Sequence, residues 1–143
     1  MEFVDTGSPR GERGKAITLS SVLFYLTGLV WAVAFPPFLA YLAYFRTAPT
    51  LFGIQTPGET SRIGEILGLD GVIVLGIVFV AVMASEVLAG YWLWKSLRRG
   101  GQLGIATLPF EIFYAVGYGL PFFYLFTPLK LVLLVSGWKS LHR

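Results

Sequence analysis

Three ionisable side chains, Glu86, Glu111 and Lys130, interrupt long apolar runs of this chain. Each stands nine positions from a polar residue at the edge of its run: Lys95 for Glu86, Gln102 for Glu111 and Lys139 for Lys130. Nine helical residues rise about 13 Å, which puts all three near the midplane of a hydrocarbon core about 30 Å thick. A charge at that depth costs at least about 2.5–3.5 kcal/mol on insertion scales, so such residues are normally paired or mark a proton or substrate route. Two carboxyls and an amine at one level can bind a proton, hold a polar group of a substrate, or neutralise one another.

Further polar groups fall at the same level. On a helix carrying Glu111, Thr107 at i−4, Tyr114 at i+3 and Tyr118 at i+7 share its face, and Pro109 frees a backbone carbonyl one turn earlier. Tyr25 lies ten positions past Lys15 and reaches a similar depth, with Ser21 one turn below it. Glu86, Glu111, Lys130, Tyr25, Thr107, Tyr114 and Tyr118 are therefore the candidate intramembrane polar site. If Glu86 and Lys130 neutralise one another, Glu111 is the odd charge and would hold a proton reversibly. Three readings stay open for these charges: pairing within one chain, pairing across subunits, and a working site. As an accessory or interaction subunit the chain is expected to turn at least one of the three toward the bundle exterior, and a lone chain or homo-oligomer that encloses all three would count against that role.

Composition excludes most other chemistry. The chain has 55% hydrophobic and 13% charged residues, against about a quarter charged in soluble domains, which marks an integral membrane protein. At 143 residues it reads as one domain with no room for a soluble catalytic unit. Cysteine is absent and the sole histidine is His142, so thiol chemistry, iron–sulfur ligation and bis-histidine haem are excluded within one chain. There is no Ser/His/Asp set, HExxH, GxSxG, P-loop or dinucleotide fingerprint. No catalytic residue, cofactor or metal is assigned. The formal charge of +3 follows from membrane topology and does not point to nucleic acid.

Four helices are needed to carry these residues across a bilayer. Residues 1–15 form a polar, glycine-rich tail ending in Arg10, Arg13 and Lys15. The spans are expected over about 16–45, 72–94, 103–120 and 122–138, and the rest of a single domain, 16–143, includes an outer loop at 46–70. The first run could also be read as a secretory signal with Ala32-Val33-Ala34 as its cleavage site, but hydrophobicity continues past it to Tyr44, and the anchor reading is preferred. Pro36-Pro37 predicts a kink or break in that span. Within the loop, Ser61–Leu69 carries Ile63, Ile66 and Leu67 on one helical face and is expected at the interface. Asp70 is the expected N-cap of the second span, which ends in Tyr91, Trp92 and Trp94 as an aromatic belt. Of eleven Lys/Arg, eight lie in the tail, the 95–102 loop and the C-terminus, which places both termini on the cytoplasmic side, with a plasma (inner) membrane as the expected location.

An internal repeat supports this layout. Trp94-Lys95-Ser96-Leu97-Arg98-Arg99 recurs as Trp138-Lys139-Ser140-Leu141-His142-Arg143, an offset of 44 that also superposes Glu86 on Lys130. A fainter echo at an offset of 89 matches Phe24-Tyr25 and Gly28 to Phe113-Tyr114 and Gly117. The expected fold is thus an all-α integral membrane four-helix bundle of two parallel helical-hairpin repeats related about the membrane normal. Ala81, Ser85 and Ala89 make a small-residue ridge suited to helix contact. Twelve Phe, seven Tyr and four Trp would pack the core, face lipid or line a cavity for an apolar ligand.

The second half, a span ending in Gly90-Tyr91-Trp92-Leu93-Trp94-Lys95, a short basic-glycine turn and two further short spans, resembles small uncharacterised four-span membrane families, either of DoxX-like layout or of a domain-of-unknown-function type. The similarity covers about 71–143 and implies a four-helix membrane bundle. The redox cysteine of some such proteins is missing, and no catalytic residue carries over. The expected function is a non-enzymatic accessory or interaction subunit in the lipid bilayer, with a membrane-protein partner or further copies of itself. The alternative is a proton-coupled carrier or apolar-ligand binder built on the midplane Glu and Lys residues.

Overall fold

A computed structural model describes residues 14–51, 54–55 and 61–142, so most of the expected tail and part of the outer loop lie outside the described residues. Four helices dominate it: α1 (Lys15–Phe45), α2 (Arg62–Trp94), α3 (Arg98–Tyr118) and α4 (Phe122–Gly137), the last extended by a 3-10 turn at Trp138–Ser140. Three of them, α1, α2 and α4 with its extension, are long and apolar enough to cross a membrane. Arg98, Arg99 and Glu111 make α3 more polar than its neighbours. In the outer loop, a minimal antiparallel ladder pairs Thr50 with Gln55 and Leu51 with Ile54.

The helices close in a ring, each packed against the next in chain order, with α4 returning to α1. α1 runs on through Pro36 and Pro37 without a break and ends on a left-handed Arg46. α2 begins earlier than the expected span. Ser61 caps it, accepting a hydrogen bond from the Gly64 amide at 3.1 Å. Gly68, at φ 72°, ψ −177°, interrupts the helix just before Asp70. Asp70, expected as the cap, instead accepts a hydrogen bond from Arg46 at 2.7 Å, tying the start of α2 to the end of α1. Within the short leading segment, Ile63 is buried against the bundle while Ile66 and Leu67 are exposed.

The start of α1, the α2–α3 connection and the end of α4 gather at one end. There the two Trp-Lys-Ser-Leu motifs touch. His142 donates to the Ser96 carbonyl at 2.7 Å and accepts from the Arg98 amide at 2.8 Å, in a parallel bridge opposite Leu97. Ser96 adopts φ 58°, which turns the chain out of α2 into this pairing.

Burial along the even helices follows the period of the motif at most inward positions, Ala89 being buried where Leu133 is partly exposed. Gly76, Phe79, Met83, Glu86, Gly90 and Leu93 are buried, and so is each residue 44 positions on: Leu120, Phe123, Thr127, Lys130, Leu134 and Gly137. The expected echo at 89 does not match in the same way, because Phe24 is buried where Phe113 is half-exposed and Tyr25 is exposed where Tyr114 is buried. A shift of two restores agreement: Ile17, Ser20, Ser21, Phe24 and Gly28 are buried, as are Gly104, Thr107, Leu108, Glu111 and Ala115. The aromatic residues identical at 89 therefore do not share a facing, whereas these residues 87 apart do.

The α1–α2 seam is closed by glycines and not by the expected ridge. A Cβ on Gly28 would lie 2.6 Å from the Met83 carbonyl oxygen, and one on Gly90 2.8 Å from the Tyr25 amide nitrogen, so only hydrogen lets these backbones approach. Of the expected ridge, Ala89 is buried, but Ala81 faces outward and Ser85 spends its hydroxyl on the Ala81 carbonyl at 2.9 Å. The core has two parts. One, rich in aromatics, packs Phe35, Phe79, Tyr114, Tyr118 and Phe123, and the other packs Ile17, Phe24, Leu93, Leu108 and Leu134 towards the motif end. The charged residues lie between these aromatic and aliphatic layers.

Candidate functional site

Glu86 from α2, Glu111 from α3 and Lys130 from α4 meet inside the ring with no exposed surface. Lys130 Nζ donates to Glu86 Oε2 at 2.8 Å. The same ammonium forms an ion pair with Glu111 Oε1. The other Glu111 oxygen, Oε2, accepts a hydrogen bond from the Thr127 hydroxyl. From α1, the Phe24 ring lies 4.8 Å from Lys130 Nζ, a cation–π contact that supplies the fourth wall. Every helix therefore contributes to a single layer, α4 with two groups, Lys130 and Thr127.

Local sequence explains how each group arrives there. Gly28 admits α1 against the turn of α2 that carries Glu86, since its Cβ would fall 3.0 Å from Glu86 Cβ. Gly104 leaves room for the Phe24 ring, whose tip would be 2.8 Å from a Cβ at that position. Thr127 precedes Lys130 by three residues, so both project from one face of α4. Pro109 and Pro128 each sit inside their helices without ending them.

The common depth expected for Glu86, Glu111 and Lys130 matches their meeting in one layer. Glu111 is not the odd charge: an ammonium has three donors and here serves both carboxyls. None of the three faces outward, so the expectation that an assembly would be held through one of them does not hold for this arrangement. Tyr25 does not join the site. It is 43% exposed and lines a groove of about 380 Å³ on the outside of α1 and α2, with Val22, Leu26, Tyr91 and Trp94. Phe24, one residue before it and about 100° round the helix, takes the inward place.

Thr107, Tyr114 and Tyr118 are buried on the Glu111 face as expected, but their hydroxyls go elsewhere. Thr107 donates to the Gly104 carbonyl of its own helix at 2.8 Å. Tyr114 donates to the Leu75 carbonyl and Tyr118 to the Val72 carbonyl, each at 2.8 Å, and their rings stack 5.4 Å apart. These two tyrosines fasten α3 to α2 and leave Glu111 to α4.

Sequence reasoning missed Thr127 and Phe24. Thr127 carried a usable signal, since it lies one turn before Lys130 on the same face and is the only hydroxyl there. Phe24 carried none, because a phenyl ring has no polar group to mark it. Among the described residues, Glu86 Oε1 is buried with no hydrogen-bond partner, as is Ser20 Oγ one turn before Phe24. In low dielectric a carboxylate oxygen without a donor is costly, about 1–3 kcal/mol or more. The remaining atoms of the layer are satisfied by one another, which fits a structural clasp with one open acceptor. No family model, curated protein or solved structure matches the chain.

Proposed function

We propose that this chain is a small multi-pass integral membrane protein acting as a non-enzymatic interaction subunit, with four spans and both ends on the basic, cytoplasmic face of a plasma membrane. The convergence of Glu86 and Glu111 on Lys130, fully buried, makes the intramembrane charges an internal clasp and counts against assembly through them, so the subunit reading is carried by the apolar outer wall, where Tyr25, Tyr91 and Trp94 border one open groove. Such a clasp fixes helix register, and it leaves the apolar outer wall as the surface available to neighbours in the bilayer.

The gathering of the basic Lys15, Lys95, Arg98 and Lys139 at one end of the ring supports the proposed orientation. α3 is the span that composition supports least. Its 21 residues reach about 31 Å, both its ends pack on α2, through Gly100 against Leu93 and Gly117 against Ile63, and its one interior charge is paired with Lys130. The 44-residue burial period and the hydrogen-bonded motifs support two parallel hairpin repeats.

A second reading, a proton-coupled carrier, is favoured by the open Glu86 Oε1. Purification in native lipid nanodiscs followed by mass measurement separates the two. A stoichiometric second polypeptide or second copy is expected, and a lone monomer overturns the subunit reading. In proteoliposomes Glu111→Gln should leave proton flux unchanged if the clasp is structural, whereas loss of a wild-type flux supports the carrier.

A further inference from the structure

We propose that the Glu86–Lys130–Glu111 enclosure holds one bound proton in its resting state and that this proton resides on Glu86 Oε1. The proposal does not depend on whether the chain works as a subunit. It rests on a count of charges and on which oxygens are already engaged.

The count covers every element packed round the layer. α1 presents Phe24, which is uncharged. α2 presents Glu86, and α3 presents Glu111, with the Tyr114 hydroxyl one turn away committed to the Leu75 carbonyl. α4 presents Lys130 and Thr127. With all three ionisable groups charged, two carboxylates face one ammonium and the fully buried layer carries one net negative charge. Low-dielectric surroundings penalise an uncompensated charge severely, and a group so placed normally neutralises. One proton taken up from solvent, added to a carboxylate lone pair, makes the enclosure neutral without breaking any bond.

The hydrogen bonds select the oxygen. Glu111 Oε1 accepts from Lys130 and Glu111 Oε2 pairs with the Thr127 hydroxyl, so neither oxygen of Glu111 is open. Lys130 Nζ donates to both glutamates and is the one cation counted in the layer. Glu86 Oε2 is an acceptor for Lys130, and Glu86 Oε1 has no partner among the described residues. No donor already occupies that oxygen, and the Glu111 carboxylate lies within hydrogen-bonding reach of the Glu86 carboxyl to accept from a hydrogen placed on it. The inferred ligand is therefore a single proton, and the site is an intramembrane carboxylic acid beside an ion pair.

Infrared difference spectroscopy of the full chain in lipid nanodiscs at neutral pH reads this directly. The carboxylic-acid carbonyl stretch is separated from carboxylate bands and moves down in D₂O. Wild type should show one such band. Glu86→Gln should abolish it, because Glu111 and Lys130 then balance alone. Glu111→Gln should abolish it too, because Glu86 then ionises against Lys130. Lys130→Met should raise the band about twofold, since two carboxyls then lack a cation. Absence of the band in wild type overturns the proposal, as does its survival in Glu86→Gln. The two glutamine variants keep side-chain shape, so the proposal stays testable if Lys130→Met fails to fold.

Discussion

Glu86 and Lys130 stand 44 residues apart, at corresponding places relative to the two Trp-Lys-Ser-Leu motifs, and their side chains meet at 2.8 Å in the centre of the bundle. Phe79 and Phe123, separated by the same interval, also meet, with ring centroids 6.2 Å apart. In the proposed duplication, such residues lie beside a pseudo-twofold axis, where each position faces its own counterpart. An identical pair of carboxylates there would repel, and a pair of ammonium groups likewise. On that proposal, a Glu in one copy and a Lys in the other give attraction in place of self-repulsion, while the phenylalanines, which carry no charge, can be identical.

Removing one member of the clasp should hurt more than removing all of it. Lys130→Met leaves two buried carboxyls without their cation and is expected to destabilise the fold by about 3–5 kcal/mol. The triple substitution Glu86→Leu, Glu111→Leu, Lys130→Met replaces the charges with apolar groups of similar size and should recover most of that loss. Reversible unfolding in mixed micelles measures both. A triple variant no more stable than Lys130→Met would show that the charges contribute beyond mutual neutralisation.

The α1–α2 seam makes a contrasting pair of substitutions. Gly28→Ala places a methyl 2.6 Å from the Met83 carbonyl oxygen and must push the helices apart. An expected cost of about 1–3 kcal/mol follows from overpacking. Ala81→Leu, on the outward face, should stay within about 0.5 kcal/mol of wild type. Equal effects at the two positions, by the same unfolding assay, would contradict the seam described here.

Depth was legible in the chain and facing was not. Counting from Lys95, Gln102 and Lys139 placed three charges at one level, because axial rise is insensitive to the rotation of a helix about its axis. Which residue points inward depends on that rotation, and in α1 the difference between Tyr25 and Phe24 is about 100°. No apolar stripe decides it, since lipid-facing and core-facing positions are both hydrophobic in a membrane helix. The glycines that set the rotation, Gly28 and Gly104, look in sequence like any other glycines. Partner choice was equally hidden. One Glu and one Lys at equivalent positions suggested an exclusive pair, and only the ring arrangement shows Lys130 within reach of both Glu86 and Glu111.

The tyrosines on α3 are predicted to act on stability alone. Tyr114→Phe and Tyr118→Phe each delete one hydroxyl donating to an α2 carbonyl, at Leu75 and Val72. Each should cost about 0.5–1.5 kcal/mol. The losses are expected to fall short of additive, because the stacked rings share one contact between the helices. Melting of the single and double variants in nanodiscs checks this, and a neutral double variant would remove the hydrogen bonds from the account of α2–α3 packing.

The pairing of the two motifs can be trapped covalently. His142 and Leu97 face one another in a parallel bridge, flanked by hydrogen bonds to Ser96 and Arg98. Paired residues of this kind lie close enough for their β-carbons to be bridged with small adjustment. Leu97→Cys with His142→Cys should form an intramolecular disulfide under mild oxidation, seen as faster migration that reverts on reduction.

Because the chain has no cysteine of its own, single cysteines report topology without background. The test that matters most concerns α3, whose polarity sets it apart from the three helices apolar enough to cross. If α3 crosses, Gln102→Cys and Lys139→Cys should react with an impermeant maleimide from the cytoplasmic side, and Thr47→Cys and Pro121→Cys from the other. Gln102, Thr47, Pro121 and Lys139 are all exposed, so reactivity at each is governed by sidedness. Labelling of Gln102→Cys and Pro121→Cys from the same side would mean that α3 does not span. Lys130 would then have to hold Glu111 from a helix lying along the membrane, an arrangement that the shared layer and the tyrosine bonds to α2 both oppose.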